Sequence, residues 1–509
     1  MAGYKLLLEQ NATAAQMKEL SADFETYGVY ADSIQTAAGT VFFIARDKKE
    51  KVLIASGPSV VLDKLEGKEI KGLKDAKVCP LNLANNHVLR EYFPYMVPVS
   101  YKGRDITFGL GDRLGLASAG HLRLLRHYRV FPVIAQQSMR ELKLMGRTYG
   151  GVLMDASWAV FQENYMEGFG ADGDHLKTAD EVANALSCGF TMITLDCSEN
   201  IDNDIYALSQ DERKARYGKL DAKYRKSMEA KYLGQEIILK NGVKVPFDDK
   251  MYYQTLLVYG KAIDFAEEIY YKVVKKCGRH IDFEVSIDET LAETEPAAHY
   301  IVANELLERG VDIGSIAPRF VGEFQKGVDY MGNLGQFEVD FDIHERIADH
   351  FGYRISVHSG SDKFSVFPIV GERTGGRYHI KTSGTNWLEF VRLIALYAPE
   401  LFRKIYNYAK TKFVEAGKLY HVSGKLENCP DVDALPDDEL ASLLDVEKVD
   451  TRQLMHITYG YILTVKDERG NYMFKDALYA LGFEREEEYY KLLEQHIGRH
   501  VQELGIEKK

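Results

Sequence analysis

From about residue 104 onward, short apolar runs that end in polar residues alternate with amphipathic helical stretches. This rhythm constrains the chain more than any other feature, because it is the pattern of βα units and a parallel sheet. Eight such runs are legible, at 106–111, 130–135, 151–155, 190–196, 281–287, 312–317, 354–358 and 377–382. Helical patterns fall between them, for example at 296–309, where Pro296 suits a first turn and Gly310 suits a stop. Eight strands, each followed by a helix, is the count a closed barrel needs. An open doubly wound sheet is the alternative, but no GxGxxG turn opens a helix after a strand. The expected fold is therefore α/β, a (β/α)8 TIM barrel at 104–398 with a helical insertion at about 198–280. An α/β appendage (1–103) precedes it and a helical extension (399–509) follows.

Composition excludes several classes. The 509 residues carry a net charge of −12, which argues against a nucleic-acid surface but leaves room for a local basic pocket. No run of about 18 uncharged apolar residues suggests a membrane span, and the start does not read as a signal peptide. The five cysteines are scattered with no CxxC pair, so neither disulfides nor a cysteine zinc site is expected. The expected setting is cytoplasmic and the expected partner a small molecule. The sequence carries no signal for oligomeric state.

Side chains alternate along a strand, so outward Phe283, Val285 and Ile287 turn Asp282, Glu284, Ser286 and Asp288 toward the barrel axis. The same logic turns His358, Lys381 and Asp196 inward, and by weaker arguments Asp155, Arg113 and Arg319. Isolated buried ions are costly, so such a ring is not routine core filling, although Asp282 suits a buried structural pair. Barrels keep their chemistry at the C-terminal ends of the strands. There, His175, His299 and His358 with Asp196 make a candidate set for a divalent cation such as Mn, Co, Ni or Zn. Asp155, Glu284 and Asp288 are the acid/base candidates. Arg113, Gln137, Arg319, Lys363 and Lys381 are the substrate-binding candidates.

Several ordered blocks carry a resemblance. Gly109-Leu-Gly-Asp-Arg-Leu-Gly-Leu116, Ala135-Gln-Gln-Ser, Gly168-Phe-Gly-Ala-Asp-Gly-Asp-His-Leu-Lys177, Ser286-Ile-Asp-Glu-Thr290, Ala317-Pro-Arg-Phe-Val-Gly322 and Val357-His-Ser-Gly-Ser-Asp-Lys-Phe364 together resemble the tagaturonate epimerase family. The resemblance implies a divalent-metal-dependent epimerase of hexuronate breakdown that interconverts tagaturonate and fructuronate. These sugars differ at C3 and carry their ketone at C5, so removing the C3 hydrogen gives no stabilised carbanion. Transient oxidation would need NAD, for which no binding motif is present. Retro-aldol cleavage of C3–C4 and re-addition to the other aldehyde face is the route that remains. The alternatives are an epimerase or aldolase acting on a neutral ketohexose, a Schiff-base enzyme using Lys381 or Lys177, and a non-catalytic sugar-acid sensor.

Overall fold

The computed structural model describes residues 3–10 and 12–509. Near the N-terminus, β1 (Gln35–Ala37), β2 (Thr40–Asp47), β3 (Glu50–Ser56), β4 (Lys68–Glu69) and β5 (Ala76–Pro80) form an antiparallel sheet in the order β1-β2-β3-β5-β4. The barrel uses β6 (Ile106–Leu110), β7 (Phe131–Ser138), β8 (Gly170–Leu176) and β9 (Met192–Asp196). A hairpin of β10 (Glu236–Ile238) and β11 (Lys244–Pro246) lies in the insertion. The barrel then continues with β12 (Asp282–Ile287), β13 (Ser315–Pro318), β14 (Arg354–Val357) and β15 (Tyr378–Thr382). The eight barrel strands are parallel; β15 pairs with β6 and β9 with β12, closing the ring. All six residues of β12 are buried, as expected for a parallel strand covered on both faces. Among the described residues no helix is long and apolar enough to cross a membrane, and all five cysteines are free.

Seven of the eight strands lie where alternation places them; the third does not. Residues 151–155 belong to the helix Tyr149–Gln162, which Thr148 caps by accepting from the Gly151 amide. Its buried Val152, Leu153, Ala156 and Val160 follow a helical spacing, and the short apolar run alone resembles a strand. The third strand is instead β8, Gly-Ala-Asp-Gly-Asp-His-Leu, which has almost no strand-forming residues. Pairing with β7 on one side and β9 on the other holds it extended.

Two polar anchors tie the C-terminal extension to the rest of the molecule. Glu486, on the C-terminal helix Glu486–Glu503, accepts from Tyr30 Oη (2.6 Å) and Arg46 Nη2 (2.8 Å), and pairs with Lys51. This joins the N-terminal sheet to the end of the chain. Asp362, in the loop after β14, pairs with Arg452 at 2.7 Å, both side chains fully buried. Arg452 also donates to Gly327 O in the loop after β13 (2.7 Å), so the extension holds two strand-end loops at once.

Glu486 makes the first anchor pH-dependent. Burial pushes its carboxyl up, but Lys51 and the hydroxyls of Tyr30 and Tyr490 outweigh burial and bring it down to about 2. A depressed carboxyl adds stability that is complete above its unfolded value and is lost as pH falls toward the folded one. Lowering it from 4.5 to about 2 is worth about 3 kcal/mol. Glu486→Gln is therefore expected to lower the thermal midpoint at neutral pH and to flatten its fall between about pH 4.5 and 2. Unfolding scans across that window check it.

Candidate active site

The deepest layer of the site is built on one ammonium. Lys381 Nζ, carried by β15, lies 2.7 Å from Asp172 Oδ2, 2.8 Å from Asp174 Oδ1 and 2.9 Å from Glu284 Oε1. It also donates to Thr194 Oγ1, which in turn bridges Asp172 and Glu284. Ser315 Oγ donates to the second oxygen of Glu284. Alternation brings these groups together from β8, β9, β12, β13 and β15. Burial by itself would discharge Lys381, but the three carboxylates raise it well above the usual lysine value. In return Lys381, with neighbouring histidines, holds Asp174 and Glu284 below the usual carboxylate range. Asp172, fully buried, is driven by burial to about 6 against the pull of Lys381.

Above this layer stand the histidines. His358 Nε2 is 2.7 Å from Glu284 Oε1, and its Nδ1 lies 3.2 Å from Asp288 Oδ2. The His175 ring meets the His358 ring edge to face, centroids 5.0 Å apart. His175 Nδ1 is 3.6 Å from Asp196 Oδ2. Strict alternation would turn His175 away from Asp174 and out of the barrel. The register of β8 against β9 shifts between Gly173 and Leu176, and His175 sits at φ 51°, so the chain kinks and both side chains face the cavity. Such bulges re-aim side chains beside active sites.

These groups open into a cavity of about 530 Å³ at the C-terminal ends of the strands, walled by Arg113, Gln136, Arg319, Lys326, Tyr420 and others. A larger cleft of about 870 Å³ lies at the opposite end, against Ile106 and Phe131. No histidine lines that cleft, and charges along it pair with one another, Lys509 with Glu167 and Arg129 with Glu507 (3.9 Å). The smaller cavity is therefore the candidate site.

One atom each of His175, Asp196 and Glu289 lie within 4.8 Å of one another, a spacing that suits one divalent cation. The donor set fits. His175 Nδ1 is buried without a hydrogen-bond partner, its nearest carboxylate oxygen being Asp196 Oδ2 at 3.6 Å. Although burial opposes it, Asp174, Asp196 and Glu289 push His175 up to about 10, so this point demands a positive charge. A second cluster, Asp362 with His496 and His500, does not fit a cation. Arg452 occupies Asp362, and His500 spends both ring nitrogens, accepting from the Asp362 amide and bonding His496 O.

Four expected site residues lie elsewhere. Asp155 is on the helix that displaced the expected third strand; it pairs with Arg147 at 2.5 Å and lines a separate pocket. His299 is fully buried on the helix Pro296–Glu308, where it bonds Tyr353 Oη (2.7 Å) and His344 Nδ1 (2.9 Å). Gln137 falls on the other face of β7 from Gln136 and Ser138, which do line the cavity. Lys363 turns under its own loop, where Nζ donates to the carbonyls of Gln325 (2.8 Å) and Ser361 (3.0 Å). Arg113, Arg319, Lys381, Glu284, Asp288, His175, His358 and Asp196 are all at the site. Asp282, at the far end of β12, receives Ser100 Oγ (2.6 Å) and the Tyr101 amide (2.8 Å), a structural role.

The sequence reading did not single out Asp172, Asp174, Glu289, Arg140 or Lys326. The two aspartates were legible in principle, since their i, i+2 spacing marks one strand face once β8 is taken as a strand. Glu289 and Lys326 sit on loops, where no periodicity points, and Arg140 lies in the first turn of the short helix Met139–Met145.

Removing the central ammonium leaves three buried carboxylates facing each other, and breaking a buried pair costs about 3–5 kcal/mol. Lys381→Met is expected to lower the thermal midpoint sharply at neutral pH. The gap from the unaltered protein should narrow as pH falls, because Asp172, at about 6 even with Lys381 beside it, takes up its proton at higher pH once the ammonium is gone. Paired unfolding curves across pH measure that gap.

Comparison with known proteins agrees along nearly the whole chain. A profile of the tagaturonate epimerase family, UxaE, matches residues 30–504. The tagaturonate/fructuronate epimerase of Thermotoga maritima is 40% identical over 478 residues, 93% of this chain and 96% of that protein. The native crystal structure of the fructuronate-tagaturonate epimerase of Cohnella laeviribosi superposes with a TM-score of 0.92 at 45% identity, covering 97% of this chain and 99% of that one. Its complex with one glycerol gives the same TM-score at 44% identity, with the same coverage of both chains.

Proposed function

The chain belongs to the tagaturonate epimerase family, and on that premise we propose that it interconverts tagaturonate and fructuronate by retro-aldol cleavage and re-addition at C3, with a divalent cation at the strand ends. The observation that carries this reading is the convergence of His175, Asp196 and Glu289, beside His358, in a cavity that also holds an acid/base group. His175, His358 and Asp196 were expected ligands; in this reading His358 stands beside the set and Glu289 serves in place of His299.

A bound divalent cation there supplies Lewis-acid polarisation of the C5 ketone and the hydroxyl beside it. Asp174, the cavity-facing member of the lysine cluster, takes the proton of the C3 hydroxyl. The C3–C4 bond breaks, and its electron pair passes into the enediolate of the three-carbon ketone fragment. C3 becomes the aldehyde carbon of the fragment that bears the carboxylate. Rotation of that aldehyde presents its other face, the C3–C4 bond re-forms, and Asp174 returns the proton to the C3 oxygen. Asp174 alone is a weak base, because Lys381 holds it low. Asp172, titrating near 6 on the same ammonium, lets the cluster share the incoming proton. Glu284 and Asp288 hold the His358 ring from its two nitrogens.

The Schiff-base alternative needs a neutral amine. Lys381 is held as an ammonium by three carboxylates, and Lys177 donates to Ser198 Oγ (3.0 Å) and lies 3.6 Å from Asp196. Neither is poised as a nucleophile.

NMR of tagaturonate incubated with the protein in heavy water tests both parts. Fructuronate is expected to appear with its C3 hydrogen retained, turnover to stop after chelation, and Mn, Co, Ni or Zn to restore it. Deuterium at C3 would exclude the retro-aldol route; undiminished turnover after exhaustive chelation would exclude the cation.

A further inference from the structure

The cavity holds five Lys and Arg side chains: Arg113, Arg140, Arg319, Lys326 and Lys381. Three of them are already matched by carboxylates of the protein. Arg113 pairs with Glu141 at 3.0 Å, Arg319 lies 3.7 Å from Glu323 and donates to Thr290 O, and Lys381 is enclosed by Asp172, Asp174 and Glu284.

The other two have no carboxylate partner among the described residues. Lys326 Nζ donates only to Ser359 Oγ, at 2.9 Å. Arg140 donates from Nη1 to Leu419 O at 3.3 Å and lies over the Tyr420 ring, 4.8 Å from its centroid. Its Nε is buried and bonds to nothing. Two unmatched cations sharing one partly enclosed wall repel each other and have given up hydration. The Lys326 ammonium is accordingly pulled below its usual value, first by burial and then by Arg140. An anion between them relieves both costs, and a guanidinium with free N–H groups suits a carboxylate.

We propose that Lys326 and Arg140 form the subsite for the substrate's C1 carboxylate, in place of Arg319, Arg113 or Lys363. This rests on the sugar-acid reading above and deepens it, because it assigns what makes the cavity select an acid over a neutral ketohexose. It also gives the C-terminal extension a part in the site. Leu419 and Tyr420 seat Arg140, and Gln453 Nε2 donates to Lys326 O at 3.4 Å. Ser359, which holds Lys326, directly follows His358, so the acid end of the substrate lies beside the imidazole cluster.

Titration calorimetry with two six-carbon probes that cannot react, D-galactonate and galactitol, tests the assignment. The unaltered protein is expected to bind the acid more tightly than the alcohol. Lys326→Gln, in the loop after β13, and Arg140→Gln, in the first turn of the helix Met139–Met145, should each weaken the acid on the order of 10–100-fold, the worth of a hydrogen bond to a charge. Neither should alter binding of the alcohol, and Lys326→Arg should restore most of the loss. Equal losses for both probes, unchanged acid binding in both Gln variants, no preference for the acid in the unaltered protein, or a loss that follows Arg319→Gln instead would each overturn the proposal. Turnover of tagaturonate by the same preparation is read separately, so the epimerase reading and the subsite can fail independently.

Discussion

One ammonium among three carboxylates, Lys381 with Asp172, Asp174 and Glu284, occupies the place where a barrel usually packs aliphatic side chains. Each of these ions is expensive to bury alone, and the group persists because the charges meet at hydrogen-bonding distance and Thr194 and Ser315 take up remaining oxygens. The count is still uneven: three acids face one base. Further up the axis Asp196, Asp288 and Glu289 add more negative charge around His175 and His358. The strand ends therefore form a polarised column, anchored by a lysine below and lined by carboxylates around two imidazoles above. The chemistry proposed for the protein is what such a column can do.

The rest of the molecule holds that column in place. The bulge in β8 lets consecutive residues, Asp174 and His175, enter the same cavity, which a regular strand forbids. The C-terminal extension reaches back over the strand ends, where Arg452 ties the loop after β13 to the loop after β14. Lys363, turned under its loop to cap three carbonyls, reinforces the same tie. Glu486 then locks the N-terminal sheet to the extension. Long-range polar anchors of this kind make a site of loop residues rigid enough to position a sugar acid.

How much of this the amino-acid sequence reveals depends on the kind of signal each part leaves. Period-two alternation exposed Glu284, Lys381, His358 and Asp196, because their strands carry apolar residues at the intervening positions. It failed for Asp172 and Asp174, because glycines and aspartates replace the β-branched residues that announce a strand, and the nearby apolar run at 151–155 was helical. His299 looked like a ligand beside a strand end, yet its helix turns it inward to Tyr353 and His344. Lys326 and Arg140 leave no periodic trace. Only tertiary structure shows that their charges are unmatched while that of Arg319 is met by Glu323.

Anomalous diffraction from crystals soaked in Mn²⁺ most directly addresses the idea that the excess negative charge at the strand ends is completed by a divalent ion. The expected result is one strong peak coordinated by His175, Asp196 and Glu289, next to His358. A peak at His299 and His344 or at Asp362 and His496, or an empty map at the strand ends with protonated imidazoles in its place, would contradict it.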